Sequence, residues 1–160
     1  VRSVAIHDGA LRQAIHHLKY RRRRELADTL GQLLATYWQQ AGLRADLVIP
    51  VPLHASRQKE RGYNQAALLA HGLTAHVPLT LNETDLIRAR NTAPQVELKA
   101  QERRRNVRDA FVWKGGSLDG VRVLLIDDVC TTGSTLGACA SVLHQAGAES
   151  VWALTLARAR

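Results

Sequence analysis

Apolar positions along this chain follow two rhythms. From Gly9 to Tyr20, Leu11, Ala14, Ile15 and Leu18 recur at helical spacing, and from Glu25 to Gln40 the residues Leu26, Leu30, Leu33, Leu34 and Tyr37 repeat it. Both stretches predict amphipathic helices. Asp46 to Pro52 is instead an aliphatic run entering two prolines, the pattern of a buried strand that passes into a stiffened loop. Helical spacing resumes from Tyr63 to Ala75, after Gly62. Leu86 to Gln95 predicts a short strand passing into a polar segment, and Ala110 to Trp113 another strand. Val123-Leu124-Leu125-Ile126 predicts a strand buried on both faces. Thr135 to Ala146 predicts a helix closed by Gly147, and Ser150 to Ala157 a last strand. Strands alternating with helices predict a single α/β domain over residues 1–160, an open, mainly parallel sheet flanked by helices.

The residues just after Ile126 carry the chemistry. Asp127-Asp128-Val129-Cys130 leads into Thr131-Thr132-Gly133-Ser134-Thr135, a small polar run that opens a helix. Such a loop offers backbone N–H groups, hydroxyls from Thr131, Thr132, Ser134 and Thr135, and a close approach at Gly133, all at the positive end of a helix dipole. No lysine lies within it and no G-x-x-x-x-G-K-[ST] pattern occurs in the chain. A phosphate monoester held by neutral donors therefore fits better than a nucleoside triphosphate. Asp127 and Asp128 would repel a phosphate but can accept hydrogen bonds from sugar hydroxyls or hold Mg²⁺. Hydroxyls beside a phosphate point to a ribose 5-phosphate.

Charge adds a preference for anionic partners. The 160 residues carry a formal net charge of +8, which draws in phosphorylated ligands and nucleic acids alike. Arg21 to Arg24 reads either as a solvated basic turn or as a contact for nucleic-acid phosphates. A second cluster, Lys99, Arg103, Arg104, Arg105 and Arg108, falls between Glu97 and Asp109. His16 and His17 are adjacent, not at the i, i+4 spacing of helix-borne metal ligands, and read as surface groups. Cys130 and Cys139 match no zinc spacing and read as thiols of a reduced, cytoplasmic protein, Cys130 as a small packed residue. No apolar run approaches the ~20 residues of a membrane span, and no signal-peptide core is evident. The chain starts at valine and lacks methionine, so its native N-terminus is expected to be absent or trimmed.

The run from Val123 to Thr135 resembles the 5-phosphoribosyl-1-pyrophosphate (PRPP) signature of type I phosphoribosyltransferases. Four further blocks extend the resemblance to the ComF family of competence-associated, phosphoribosyltransferase-like proteins. These are Leu18-Lys19-Tyr20; Pro50-Val51-Pro52-Leu53-His54 with Arg57 and Arg61-Gly62-Tyr63-Asn64-Gln65; Arg88, Arg90, Thr92 and Pro94-Gln95; and Glu102-Arg103-Arg104 with Asn106-Val107 and Ala110-Phe111. ComF-like proteins often begin with a four-cysteine zinc module, which nothing in this chain matches. The resemblance implies a type I phosphoribosyltransferase-like fold that binds PRPP with Mg²⁺ and transfers the phosphoribosyl group to a nitrogen nucleophile, releasing pyrophosphate. It implies sugar-binding roles for Asp127 and Asp128, 5-phosphate binding by Thr131, Thr132, Gly133, Ser134 and Thr135, and pyrophosphate binding by Arg57 and Arg61 with Arg103 and Arg104. The segment that carries these last two would act as a flap, as the flexible loop of related transferases does. No residues announce a nucleobase site. The alternative is a non-catalytic, PRPP-responsive accessory protein that binds single-stranded DNA and works with competence or DNA-uptake proteins, a reading weakened by the scarcity of aromatics for base stacking.

Overall fold

The computed structural model describes residues 1–89 and 110–159. Arg90, Thr92, Pro94-Gln95 and the basic segment with Arg103 and Arg104 lie outside them. In chain order the elements are β1 (Arg2–Ile6), α1 (Gly9–Tyr20), α2 (Leu26–Ala41), β2 (Leu47–Pro50), α3 (Ala55–Arg61), α4 (Gln65–Thr74), β3 (Thr80–Leu81), β4 (Leu86–Arg88), β5 (Phe111–Trp113), β6 (Arg122–Cys130), α5 (Ser134–Gln145) and β7 (Ser150–Arg158). Five strands form one sheet in the order β1-β7-β6-β2-β3, and every neighbouring pair is parallel.

The aliphatic run at the centre of β6 is continuous because both of its faces are covered. Leu124 and Ile126 face a core built with Ile15 and Leu18 of α1, Leu34 of α2 and Leu69 and Leu73 of α4. Val123 and Leu125 face the opposite core, built with Leu136, Cys139 and Leu143 of α5 and with Leu86 and Phe111. Helices α2 and α4 cross with their backbones in near contact. A Cβ on Gly31 would stand 2.5 Å from Gly72 backbone atoms, and one on Gly72 would stand 2.7 Å from the Ala27 carbonyl oxygen.

Three elements escape the sequence pattern. Strand β1 is an edge strand, largely exposed, held by Ser3 Oγ against Thr155 Oγ1 at 2.8 Å and by its ladder to β7. Strand β3 has two residues. The stretch expected to be loop after Pro52 contains α3, capped by the His54 ring nitrogen, which accepts from the Ser56 N–H. The strands predicted from Leu86 and from Ala110 do not join the main sheet but form an antiparallel pair of their own. They pack over the α5 side through Leu86 and Phe111.

This topology places a ligand site. Chain leaving β2 turns toward α4 on one face of the sheet and the edge strand β3; chain leaving β6 turns toward α5 on the other face and β7. Neighbouring strands whose connections diverge in this way leave a crevice at their carboxyl ends. Among the described residues no helix is long and apolar enough to cross a membrane.

Candidate functional site

A cavity of about 590 Å³ opens at that crevice. Its walls come from α1, the loop after β2, α3, β4, and the chain from the end of β6 into the first turn of α5. Thr131, Thr132, Gly133, Ser134 and Thr135 all line it. Gly133 takes a left-handed conformation, φ 75°, which admits the sharp entry to α5 with little of the penalty a side chain would carry there. The residue at the helix cap is thus one without a capping side chain; the Ser134 N–H donates to Thr132 Oγ1 at 3.4 Å, and the amides that follow it in the first turn are left for another acceptor. Thr132 Oγ1 and Ser134 Oγ lie 2.8 Å apart, so their hydroxyls converge.

The two aspartates are part of β6, not of the loop beyond it. Successive strand residues point to opposite faces, so Asp127 shares the α5 side with Leu125, and Asp128 shares the α1 side with Ile126. Both line the cavity. Asp128 is only 3% exposed, and its Oδ2 faces Lys19 Nζ of α1 at 2.9 Å. That contact gives Lys19, present in the sequence as part of Leu18-Lys19-Tyr20, a definite place: it is the counter-ion of a buried carboxylate. Asp127 is half-buried and keeps access to the cavity. Its Oδ1 accepts the Asp128 N–H at 2.8 Å. Burial first, and the Asp128 charge second, push its carboxyl up from 3.8 to about 7.

Arg57 and Arg88 bring positive charge to the same cavity. Burial and the nearby Arg57 charge lower the pKa of Arg88, opposed by Asp127, and the guanidinium sits 5.4 Å from the Phe111 ring centroid. Arg88 appears in the sequence motifs, but nothing in the sequence shows that β4 would aim it at the end of β6. Arg61 is placed differently from Arg57. It does not line the cavity; its guanidinium donates to Gln65 Oε1 and lies 5.4 Å over the Tyr20 ring. The block Arg61-Gly62-Tyr63-Asn64-Gln65 has a structural use: Tyr63 OH donates to the Leu18 carbonyl, and Asn64 caps α4 while donating to the Val51 carbonyl at 3.0 Å. These bonds tie the loop after β2 and the end of α1 to one frame.

Of the four adjacent arginines, Arg23 pairs with Glu25 at 3.0 Å, and Arg24 donates to the Gly62 carbonyl at 3.0 Å and stacks over Tyr63. Arg21 and Arg22 are exposed. Cys130 and Cys139 are both buried in the α5-side core, and burial pushes the Cys139 thiol up, which keeps it protonated and inert. Among the described residues no group of three or more His, Cys, Asp or Glu side chains is placed to hold a metal ion. The cavity does offer the Asp127 carboxylate. That suits Mg²⁺, which characteristically uses one or two carboxylates together with substrate phosphates.

Comparison with known proteins agrees with this fold. Residues 59–160 match the model of the phosphoribosyl transferase domain. The chain is 35% identical over 161 residues to DNA utilization protein YhgH of Salmonella typhimurium, covering 98% of this chain and 70% of the relative. It is 39% identical over 116 residues to competence protein F of Haemophilus influenzae, covering 71% of this chain and 51% of the relative. Among solved structures, glutamine PRPP amidotransferase from B. subtilis, complexed with ADP and GMP, superimposes with a TM-score of 0.54 at 24% identity, over 81% of this chain and 25% of that one. The shared architecture is that of type I phosphoribosyltransferases, and this chain spans about a quarter of that larger enzyme. Sequence, fold and the crevice beside β6 converge: the chain belongs to the phosphoribosyl transferase domain family, with the ComF-type competence proteins among its relatives.

Proposed function

We propose that this domain binds PRPP and transfers its 5-phosphoribosyl group to a nitrogen nucleophile with release of pyrophosphate. The observation that carries the reading is that the N-terminus of α5, whose cap residue Gly133 has no side chain, and the open Asp127 carboxylate face the same cavity. A sugar monophosphate has this polarity, with an anion for helix amides and hydroxyls for carboxylates. Thr131, Thr132, Gly133, Ser134 and Thr135 would hold the 5-phosphate; Asp127 and Asp128 would accept from the ribose hydroxyls, Asp128 paired with Lys19. Arg57, with Arg88 beside it, would hold the pyrophosphate. Arg103 and Arg104, outside the described residues, would add to that set.

In the reaction the bond from the anomeric carbon to pyrophosphate breaks and its electron pair leaves with the pyrophosphate. The acceptor nitrogen forms the new bond, and a proton on that nitrogen, where there is one, passes to water. The Asp127 and Asp128 charges favour the positive sugar of the transition state, and the arginines stabilise the departing oxygens. Mg²⁺, which Asp127 would hold, supplies further neutralisation of the diphosphate charge when bound.

Calorimetry of PRPP binding, with and without Mg²⁺, tests the reading. Asp127→Asn with Asp128→Asn is expected to abolish binding in a folded protein, and unchanged affinity would refute the sugar-binding assignment. The names of the relatives, DNA utilization protein and competence protein, favour a second reading in which the domain responds to PRPP and binds single-stranded DNA without turnover. Pyrophosphate release across a panel of nucleobases, beside DNA binding at two salt concentrations, separates the two. Release with one base establishes the enzyme; silence with salt-sensitive DNA binding establishes the accessory protein.

A further inference from the structure

The assignment above uses the α5 side of the cavity with Asp128, and leaves the exposed face of α1 without an occupant. Arg12, His16 and Tyr20 succeed one another at four-residue spacing on α1, so they share one helix face. All three are exposed, and all three line the cavity that holds Asp127 and the Thr131–Thr135 loop. Helices α1 and α5 pack on opposite faces of the sheet. The three side chains therefore stand across the crevice from the Thr131–Thr135 loop.

The chemistry of this wall is specific in two respects. Tyr20 leaves 63% of its surface exposed, although its ring lies 5.0 Å from that of His16 and 5.4 Å from the Arg61 guanidinium. An aromatic ring with cationic and imidazole neighbours that leaves most of its surface open is a platform for a second planar ring. Among the described residues that line it, the wall is also basic and without acid. Among the described residues the carboxylates that line the cavity are Asp127 and Asp128, both on β6, and Arg12 takes part in no ion pair. His7, just before α1, lines the cavity too.

We infer that the α1 wall is the acceptor site, and that it takes a planar nitrogen heterocycle bearing an acidic substituent, a carboxylate or a phosphate. The ring stacks on Tyr20, and the acidic group pairs with the Arg12 guanidinium, with the His16 ring N–H as a further donor. A neutral base would leave the Arg12 charge unanswered. The acceptor role rests on the PRPP reading given above; the preference for an acidic ring does not.

The test titrates matched probes into the full chain, with and without PRPP: orotate against uracil, and nicotinate against nicotinamide. The acidic member of each pair should bind about tenfold tighter, the worth of one charge-assisted contact. Arg12→Gln should bring that ratio close to one. Tyr20→Ala should weaken both members of a pair alike, and Tyr20→Phe should restore them. Both positions are exposed, so the fold and PRPP affinity should be unchanged in all three variants. Equal binding of acidic and neutral probes to the unaltered protein, or an acid preference that survives Arg12→Gln, overturns the inference while leaving PRPP binding intact. Failure of the unaltered protein to bind PRPP refutes the acceptor role and the reading beneath it, and the probe ratio then reports on the anion preference alone.

Discussion

Replacing Asp127 with asparagine should make the ligand-free protein more stable, and by more at pH 8 than at pH 5. The carboxyl ionises at 3.8 in the unfolded chain and near 7 when folded, because burial and the Asp128 charge both oppose its ionisation. The folded state therefore holds this proton more tightly than the unfolded state does. The stability it contributes is fully present below pH 3.8 and is lost as the pH rises through about 7. Since each tenfold change in proton activity is worth roughly 1.4 kcal/mol, the loss amounts to at most about 4 kcal/mol by pH 8, of which about half or less has accrued at pH 5. The opening toward the cavity lowers both figures, so a gain of ~2–4 kcal/mol at pH 8 is expected for Asp127→Asn. Asparagine keeps an oxygen to accept the Asp128 N–H, so the local geometry survives. Urea unfolding at pH 5 and pH 8, on both proteins, reads the effect directly. An equal gain at the two pH values, or a loss at pH 8, would show that the folded protein does not strain against this charge. The stabilised variant should also lose PRPP affinity, the usual relation between a preorganised site and the stability of its fold.

Lys19→Met should destabilise by about 3 kcal/mol, because it leaves the buried Asp128 carboxylate without its partner. Adding Asp128→Asn should recover most of that loss, and a double-mutant cycle that shows no coupling would reject the pair as a unit. Gly31→Ala places a methyl group against Gly72 backbone that cannot swing aside; despite a helix-propensity gain of ~1 kcal/mol, a net cost of roughly 1–3 kcal/mol is expected in thermal or urea unfolding. Asp46, held down to about 2 by the Arg122 guanidinium and N–H, contributes stability that is present above pH 3.8 and lost as pH falls through about 2. Asp46→Asn should flatten the acid limb of a stability-against-pH curve in that window, and an unchanged limb would assign the acid sensitivity to other groups.

The sequence by itself determined the elements whose burial is complete and the loop whose chemistry is local. The central strand β6 reads as a doubly buried run because helices cover both faces. Thr131 to Thr135 reads as an anion cradle because the donors are supplied by consecutive residues of one turn. Helices α1, α2, α4 and α5 were legible from apolar spacing to within a residue or two at most boundaries. Pattern failed where packing is one-sided or short. Strand β1 lies on an exposed edge, β3 has two residues, and α3 buries none of its residues. Only the tertiary structure decided how the charges are used. Asp127 and Asp128 are neighbours in sequence, but the two-residue period of a strand sends one toward Arg88 and α5, and the other toward Lys19, far earlier in the chain. Arg57 reaches the cavity while Arg61, one turn further along α3, is spent on Gln65 and Tyr20. Arg12, His16 and Tyr20 look like any polar helix face until α1 is laid along the crevice. Spacing along a chain reports which side of an element a residue occupies, but what stands opposite that side depends on contacts between distant segments, which no local pattern encodes.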